Sequence, residues 1–195
     1  MILGIFSTRL AQMQRRVFRV ALLCAGFAMV LATTGSLMAP PNAQRKMSLS
    51  SSAFKDGQPI PVDYTCDGKN ISPPLSWSGA PSETKSLLLI VDDPDAPSGV
   101  WTHWILCDIS TDSSELAEDF SKSPASAKQG TNDFKKPGYG GPCPPAGKAH
   151  RYFFRIYALD TALNVPAGAT RKEVDAAVAK HVLAMGQLMG TYRRK

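Results

Sequence analysis

The chain has 195 residues, with 22 Lys plus Arg against 16 Asp plus Glu, and a formal net charge of +6. That length suits one domain with a real core and leaves little room for two. With 19% charged and 8% aromatic residues, it is neither a disordered chain nor a coiled coil. The surplus charge is unevenly placed. Arg9, Arg15, Arg16 and Arg19 precede an uncharged run from Val20 to Gln44, and the first acid is Asp56. Residues 44–195 carry 18 basic and 16 acidic side chains, a net of +2. The charge balance of that part gives no support for a nucleic-acid partner.

Residues 13–43 follow the order of a secretory signal: a basic start, an apolar stretch from Val17 to Leu31, then small and turn-forming residues. Arg15-Arg16-Val17-Phe18 also resembles a twin-arginine export signal. Cleavage could follow Ala39 or Ala43, and Met13 is an alternative start to Met1. The expectation is a signal peptide over 1–43 and a single domain over 44–195, periplasmic or secreted. A retained membrane anchor is the alternative, since about 20 apolar residues suffice to span a bilayer. A misassigned start on a cytoplasmic protein is the third reading. Cys24 lies inside the apolar stretch and lacks the small residues before it that a lipoprotein site needs.

Beyond the signal, Gly and Pro, 15 of each in the chain, favour strands and elaborate loops over a helix bundle. Cys66, Cys107 and Cys143 allow at most one internal disulfide. Cys66 and Cys143 lie in loop-like sequence, and whether they pair stays open. Ser86–Val91 is an apolar run of the kind buried on both faces of a sheet. It leads directly into the turn Asp92-Asp93-Pro94-Asp95-Ala96-Pro97. Trp101–Ile109 reads as a second strand, with Trp101, His103, Ile105 and Cys107 on one face. Cys107 reads there as a buried small hydrophobe. A short helical piece is expected around Asp112–Phe120, and Lys122–Lys136 reads as a polar loop. His150–Leu159 is a third strand, with His150, Tyr152, Phe154 and Ile156 sharing a face. Thr170 and Glu173 form a capping box. Val174, Ala177, Val178, His181, Val182, Met185 and Leu188 then recur at helical spacing, with Gly190 as the stop.

Chemistry concentrates where strands meet loops. Asp93 and Asp95 are rigidly placed beside prolines. They either cap their own turn or orient a histidine and fix its proton. His103 and His150 each sit where a strand meets a Gly/Pro/Asp-rich loop, and Asp93 would join them if the strands are neighbours. His181 reads as a partly buried structural residue on the packed side of the helix. In the loop from Lys136 to His150, Gly138, Gly140 and Gly141 could bring backbone N–H groups to a ligand, while Pro142, Pro144 and Pro145 stiffen a wall. The nucleotide-binding Gly-Lys-Ser/Thr pattern is absent, as is a G-x-S-x-G elbow. The spacing of Cys and His does not suit a zinc site. No cofactor, metal or catalysis is expected.

These segments together resemble the phosphatidylethanolamine-binding protein family, in its bacterial branch similar to Raf kinase inhibitor protein. The matching pieces are Tyr64–Trp77, Asp93–Pro97 (DPDAP), Trp101–Trp104 (WTHW) and Gly140–Tyr152 with the following FFRIYAL. The resemblance runs from about Met47 to Tyr192. It implies a mostly β fold: a large central antiparallel sheet with a smaller sheet on one side and helices on the other. It also implies an anion pocket for phosphorylated or lipid-headgroup ligands, built from Asp93, His103, His150 and Tyr152. Gly141 and Pro145 would line its wall, with Asp95 and Trp101 in support. Some bacterial members are dimers, so the resemblance allows a homodimer. The longer C-terminal helix and extra pocket tyrosine of eukaryotic members have no match in Gly190-Thr191-Tyr192 and the short basic tail. The expected function is therefore an exported binding protein for a small anion. A secreted inhibitor of a kinase or protease is the alternative, and a hydrolase ranks third.

Overall fold

The structure, a computed structural model, describes residues 45–120 and 127–195. The segment read as a signal peptide lies outside the described residues. Among the described residues, no helix is long and apolar enough to cross a membrane.

Strand β4 (Ser86–Asp93) is buried along its entire length, and it organises the domain. On one side it pairs antiparallel with β5 (Trp101–Ile109), and on the other with β8 (His150–Leu159). β8 in turn pairs along ten positions with β9 (Val182–Tyr192). The short β1 (Arg45–Lys46) adds a parallel edge on β9, and β7 (Lys128–Gln129) closes the far edge against β5. This gives a six-stranded sheet in the order β1-β9-β8-β4-β5-β7. A second sheet joins β2 (Ser48–Ser50), β3 (Leu75–Ser78) and β6 (Glu115–Leu116), all antiparallel.

Strand alternation sends successive side chains of β4 to opposite faces. Leu87, Leu89 and Val91 join one core with Leu49, Leu75, Trp77 and Leu116 of the small sheet. Leu88 and Ile90 join a second core with Leu159, Leu163 and Val174. Val174 belongs to helix α1 (Arg171–Val178), which covers that face. The family architecture expected from the sequence is therefore present, with one α-helix among the described residues. The capping box is formed: the Thr170 side chain accepts from Glu173 N–H, and Glu173 accepts from Thr170 N–H.

The expected long C-terminal helix is corrected. It stops at Val178, and Val182–Tyr192 is a strand. Val182, Met185 and Leu188 fit helical spacing by coincidence. The inward set is Ala184, Gly186, Leu188 and Gly190, spaced by two. Gly190 is no helix stop: a Cβ there would come within 2.4 Å of Ile60 and 2.8 Å of Phe54. The absent side chain lets the 54–60 segment lie directly on the strand. The helical piece expected around Asp112–Phe120 is interrupted, since Glu115–Leu116 pairs with β3 instead; only Phe120 among these residues is in a helical conformation. Within the stretch expected to be a polar loop, Lys128–Gln129 pairs with β5.

The face assignment of β5 is corrected as well. Trp104 lies opposite Val91 and Thr102 opposite Asp92, leaving His103 without a partner on β4. This β-bulge breaks the alternation. Ile105 and Cys107 therefore pack in the helix-side core, while Trp104 and Leu106 pack in the other. His181 follows α1 instead of lying on it; its Nδ1 is 2.7 Å from Asp160 Oδ1.

Cys66 and Cys143 form a disulfide across 77 residues, and Cys107 is a buried free thiol. Desolvation pushes the Cys107 thiol up to about 12, so it stays protonated and inert. Closing so long a loop restricts the unfolded chain strongly. Replacing Cys66 and Cys143 by serine is expected to cost about 2–4 kcal/mol. Denaturant titration of the oxidised parent and the double variant checks this; superimposable curves would refute it.

Candidate functional site

Asp92 and Asp93 are consecutive on β4 and point to opposite faces. Asp92 is tied on the helix side, where Arg171 Nη1 donates to it at 2.6 Å and Thr102 Oγ1 at 3.0 Å. Arg155 adds a longer contact at 3.5 Å. Asp93 faces the other way. Its Oδ1 accepts the Asp95 N–H at 2.8 Å, an Asx turn that holds the DPDAP loop. Its Oδ2 accepts from His150 Nδ1 at 2.8 Å. The capping and histidine-orienting readings of this residue are both realised, one on each oxygen.

His103 is brought to the same side by the bulge. Its Nδ1 donates to the Gly140 carbonyl at 2.6 Å. Gly140 N–H donates back to the His103 carbonyl at 2.9 Å, so the Gly loop is zipped to the bulge. Desolvation holds the His103 imidazolium below the ordinary histidine range, outweighing the Gly140 carbonyl and the Asp93 carboxylate. Asp95 supports the loop from outside: it takes the Arg151 N–H and a two-point contact from the Arg151 guanidinium. That guanidinium first, with the remaining contacts, holds the Asp95 carboxyl down at about 2.

Around Asp93, His103 and His150 opens a cavity of about 290 Å³. Its walls are Ala96, Pro97 and Ser98 of the acidic loop, Trp101 of β5, and Pro144 and Pro145 with Cys143. Phe134 completes the lining. Asp93, His103, His150, Trp101 and Pro145 are thus brought together as the sequence suggests.

Tyr152 and Gly141 do not line this cavity directly. Tyr152 is fully buried behind His103, with ring centroids 5.2 Å apart edge to face. Its hydroxyl is buried beside the Asp93 carboxylate, without a hydrogen bond of ordinary length and angle. Burial, and next the field of Asp93, hold it far above the ordinary phenol range. Gly141 lines a neighbouring cavity, and its N–H goes to Asn70 Oδ1 at 2.7 Å. Gly138 N–H goes to the Gly130 carbonyl. The three loop glycines therefore spend their N–H groups inside the fold, and the expected backbone nest is not formed by them.

The sequence reading placed Pro144 in the wall but did not name Phe134, Ala96, Pro97 or Ser98 as lining residues. Phe134 is the instructive case. Its ring packs edge to face on both Trp101 and His103, at 5.4 and 5.3 Å. A Cβ on Gly140 would come within 2.6 Å of that ring. A lone aromatic inside a polar segment, followed by Gly-Tyr-Gly-Gly, was the available signal. Among the described residues, neither histidine is hydrogen-bonded to a serine. Among the described residues, no group of three or more His, Cys, Asp or Glu is arranged to hold a metal ion.

A two-sheet β domain whose buried Asp–His pair and second histidine open into a proline-walled cavity defines a small-molecule binding class. The profile of the phosphatidylethanolamine-binding protein family matches residues 50–193. The chain is 55% identical over 151 residues to a UPF0098 protein of Methanothermobacter thermautotrophicus, covering 76% of this chain and 99% of that one. It is 50% identical over 152 residues to a UPF0098 protein of Aquifex aeolicus, covering 76% and 89%. Two solved structures share the fold at a TM-score of 0.72 each. They are the phosphatidylethanolamine-binding protein homolog CT736 of Chlamydia trachomatis, at 44% identity, and YbcL of E. coli, at 34%. They align with 78% and 77% of this chain, and with 100% and 99% of their own. The chain belongs to the phosphatidylethanolamine-binding protein family.

The depressed His103 has a consequence for the empty protein. Its folded value lies below the unfolded 6.5, so below that pH the unfolded chain binds more protons than the folded one. Stability is fully present above pH 6.5 and is lost as the pH falls through the folded value. His103→Asn keeps a donor to Gly140 and removes the titration. Its melting temperature is expected to fall less than the parent's between pH 6.5 and pH 5. Parallel profiles would contradict the assignment.

Proposed function

We propose that this protein binds a small anion, of the phosphate-headgroup kind, in the cavity between Asp93, His103 and His150, and performs no covalent chemistry on it. The observation that carries this reading is the use of the ring nitrogens. Each histidine has its Nδ1 engaged within the fold, His103 by the Gly140 carbonyl and His150 by Asp93. Each ring lines the same cavity, which leaves Nε2 as its working atom there. A protonated His150 ring offers an Nε2–H donor to an anion, and Asp93 fixes its geometry; the His103 ring lines the same space from the facing wall. Family membership supports the same reading.

We further propose that the domain works outside the cytoplasm after removal of residues 1–43. The basic-then-apolar order of that segment supports this, as does the disulfide, which persists in oxidising compartments. Mass spectrometry of the protein recovered from its native cells is expected to give a mature N-terminus following Ala39 or Ala43. Recovery of the intact chain in the membrane fraction would establish the anchored form instead.

Calorimetric titration with a phosphate monoester tests the binding site. Affinity is expected to fall as the pH rises from about 5 to about 8, through the histidine titrations. Binding that is flat over that range would remove the histidines from the site. His150→Ala is expected to lose about tenfold or more. Asp93→Asn gives a sharper result. The Asn carbonyl is held by the Asp95 N–H in place of Asp93 Oδ1, so its amide donates to His150 Nδ1. The ring proton is thereby forced onto Nε2, and the ring becomes a donor at every pH. The affinity of this variant is expected to decline less steeply than the parent's as the pH rises.

A further inference from the structure

The proline wall is held to the domain differently from the strands around it. Pro142, Pro144 and Pro145 have no N–H, so most of the 142–146 stretch has nothing to donate to the fold. Among the described residues, that stretch makes one hydrogen bond with the remainder of the domain, from Cys66 N–H to the Pro142 carbonyl at 3.1 Å. Pro142 and Pro144 are buried, whereas Pro145 and Ala146 are exposed. The next tie lies beyond the wall, where Gly147 N–H reaches the Arg194 carbonyl at 3.3 Å. Against these few contacts stands one covalent bond, the Cys66–Cys143 disulfide.

The other end of the bridge is firmly seated. Thr65 is fully buried, and the Tyr139 hydroxyl donates to the Tyr64 carbonyl at 2.7 Å. Asp67 accepts from the Tyr192 hydroxyl at 2.8 Å and from Arg194 Nε at 3.1 Å. The disulfide therefore joins a fixed turn to a loosely tied wall, and breaking it frees the wall first.

The bridge also stands between two cavities. Cys143 and Phe134 line the histidine cavity and the neighbouring one of about 300 Å³ alike. Cys66 lines only the second, together with Asn70, Lys136 and Tyr139. Both cysteines are half-buried, so the second cavity brings a small thiol up to the bridge from the side away from the histidines. The exposed Lys136 puts a cation at that entrance, which favours an approaching thiolate.

We propose that Cys66–Cys143 is a reversible thiol–disulfide exchange site: a dithiol entering the second cavity reduces the bridge and releases the proline wall of the histidine cavity. One thiolate of the dithiol attacks a bridge sulfur. A mixed disulfide forms, the Cys66–Cys143 bond breaks, and the other cysteine leaves as a thiolate. The second thiolate of the reagent then displaces the protein sulfur. Each departing protein thiolate takes up the proton that its attacker gave to water. The reagent ends as its own disulfide, oxidised by two electrons, and the protein holds two thiols. Cys107 takes no part, because it is buried. The effect on ligand affinity rests on the anion-binding reading, whereas the release of the wall stands without it.

The test uses dithiothreitol on the folded mature protein, with iodoacetamide to count the thiols released. Alkylation at both Cys66 and Cys143 is expected without denaturant. A bridge that resists dithiothreitol until the chain unfolds would overturn the proposal. Lys136→Glu is expected to slow the reduction about threefold or more; an unchanged rate would overturn the second cavity as the way in. Amide exchange followed by NMR reads the wall at residue 66, whose N–H ends on Pro142. Reduction is expected to speed that amide about tenfold or more, with little dependence on dilute urea, the mark of a local opening. The Leu89 amide of β4 is expected to exchange far more slowly and to speed up with urea. Exchange at residue 66 that keeps its oxidised rate, or that shares the rate and urea dependence of Leu89, would overturn the proposal. Methyl phosphate is expected to bind the reduced protein about fivefold or more weakly than the oxidised one. Equal affinity would overturn the control of the cavity by the bridge. If the oxidised protein binds no methyl phosphate, the anion reading falls, and the exchange at residue 66 decides whether the bridge releases the wall.

Discussion

Strand β4 is buried on both faces, so each of its side chains must be satisfied on one side of the sheet or the other. The constraint is severe at Asp92 and Asp93, where two adjacent carboxylates leave water together. Neither could stay there without partners, because an unpaired buried charge is far more costly than a surface one. Alternation separates them. Asp92 goes to Arg171, Thr102 and Arg155, which bind the helix side of the sheet together. Asp93 goes to His150 and to its own turn. The cavity is thus one half of a charge arrangement whose other half anchors α1.

The second constraint is the bulge at His103. A regular β5 would send His103 to the face opposite Trp104 and place it with Ile105's neighbours out of reach of Asp93. The extra residue lets His103 and Trp104 both serve the side occupied by the small sheet and the cavity. Bulges commonly re-aim a side chain beside a functional site. Here the bulge is held by a reciprocal pair of bonds with Gly140, whose missing side chain also makes room for Phe134. The wall, the bulge and the ring orientation therefore stand or fall together.

Much of this was legible in the sequence for definite reasons. The apolar run ending in DPDAP, the His-bearing strand ends and the proline wall are local signals, and each lies where the structure needs it. The capping box at Thr170 is equally local and equally correct. What failed was phase. A bulge is set by pairing across strands and leaves no mark in the sequence of one of them, so Ile105 and Cys107 were placed with His103. β9 failed for a related reason: Val182, Met185 and Leu188 satisfy a helical period, whereas the strand period is carried by Ala184, Gly186 and Gly190, which have little or no side chain to reveal it. Phe134 was passed over because its neighbours Trp101 and His103 lie about thirty residues away, and only its isolation in a polar segment marked it. The glycines misled in the opposite direction. They are present for close packing, and their N–H groups point into the fold.

The aromatic residues divide in a way that makes the cavity observable without any label. Of the three tryptophans, Trp77 is 6% exposed and Trp104 is fully buried, both within the core beneath the small sheet. Trp101 alone lines the cavity, edge-on to Phe134 and beside the two imidazoles. Its indole therefore senses whatever enters that space and whatever charge the histidines acquire there, while the other two provide a constant background. Intrinsic fluorescence of the unmodified protein becomes a direct optical readout of pocket occupancy.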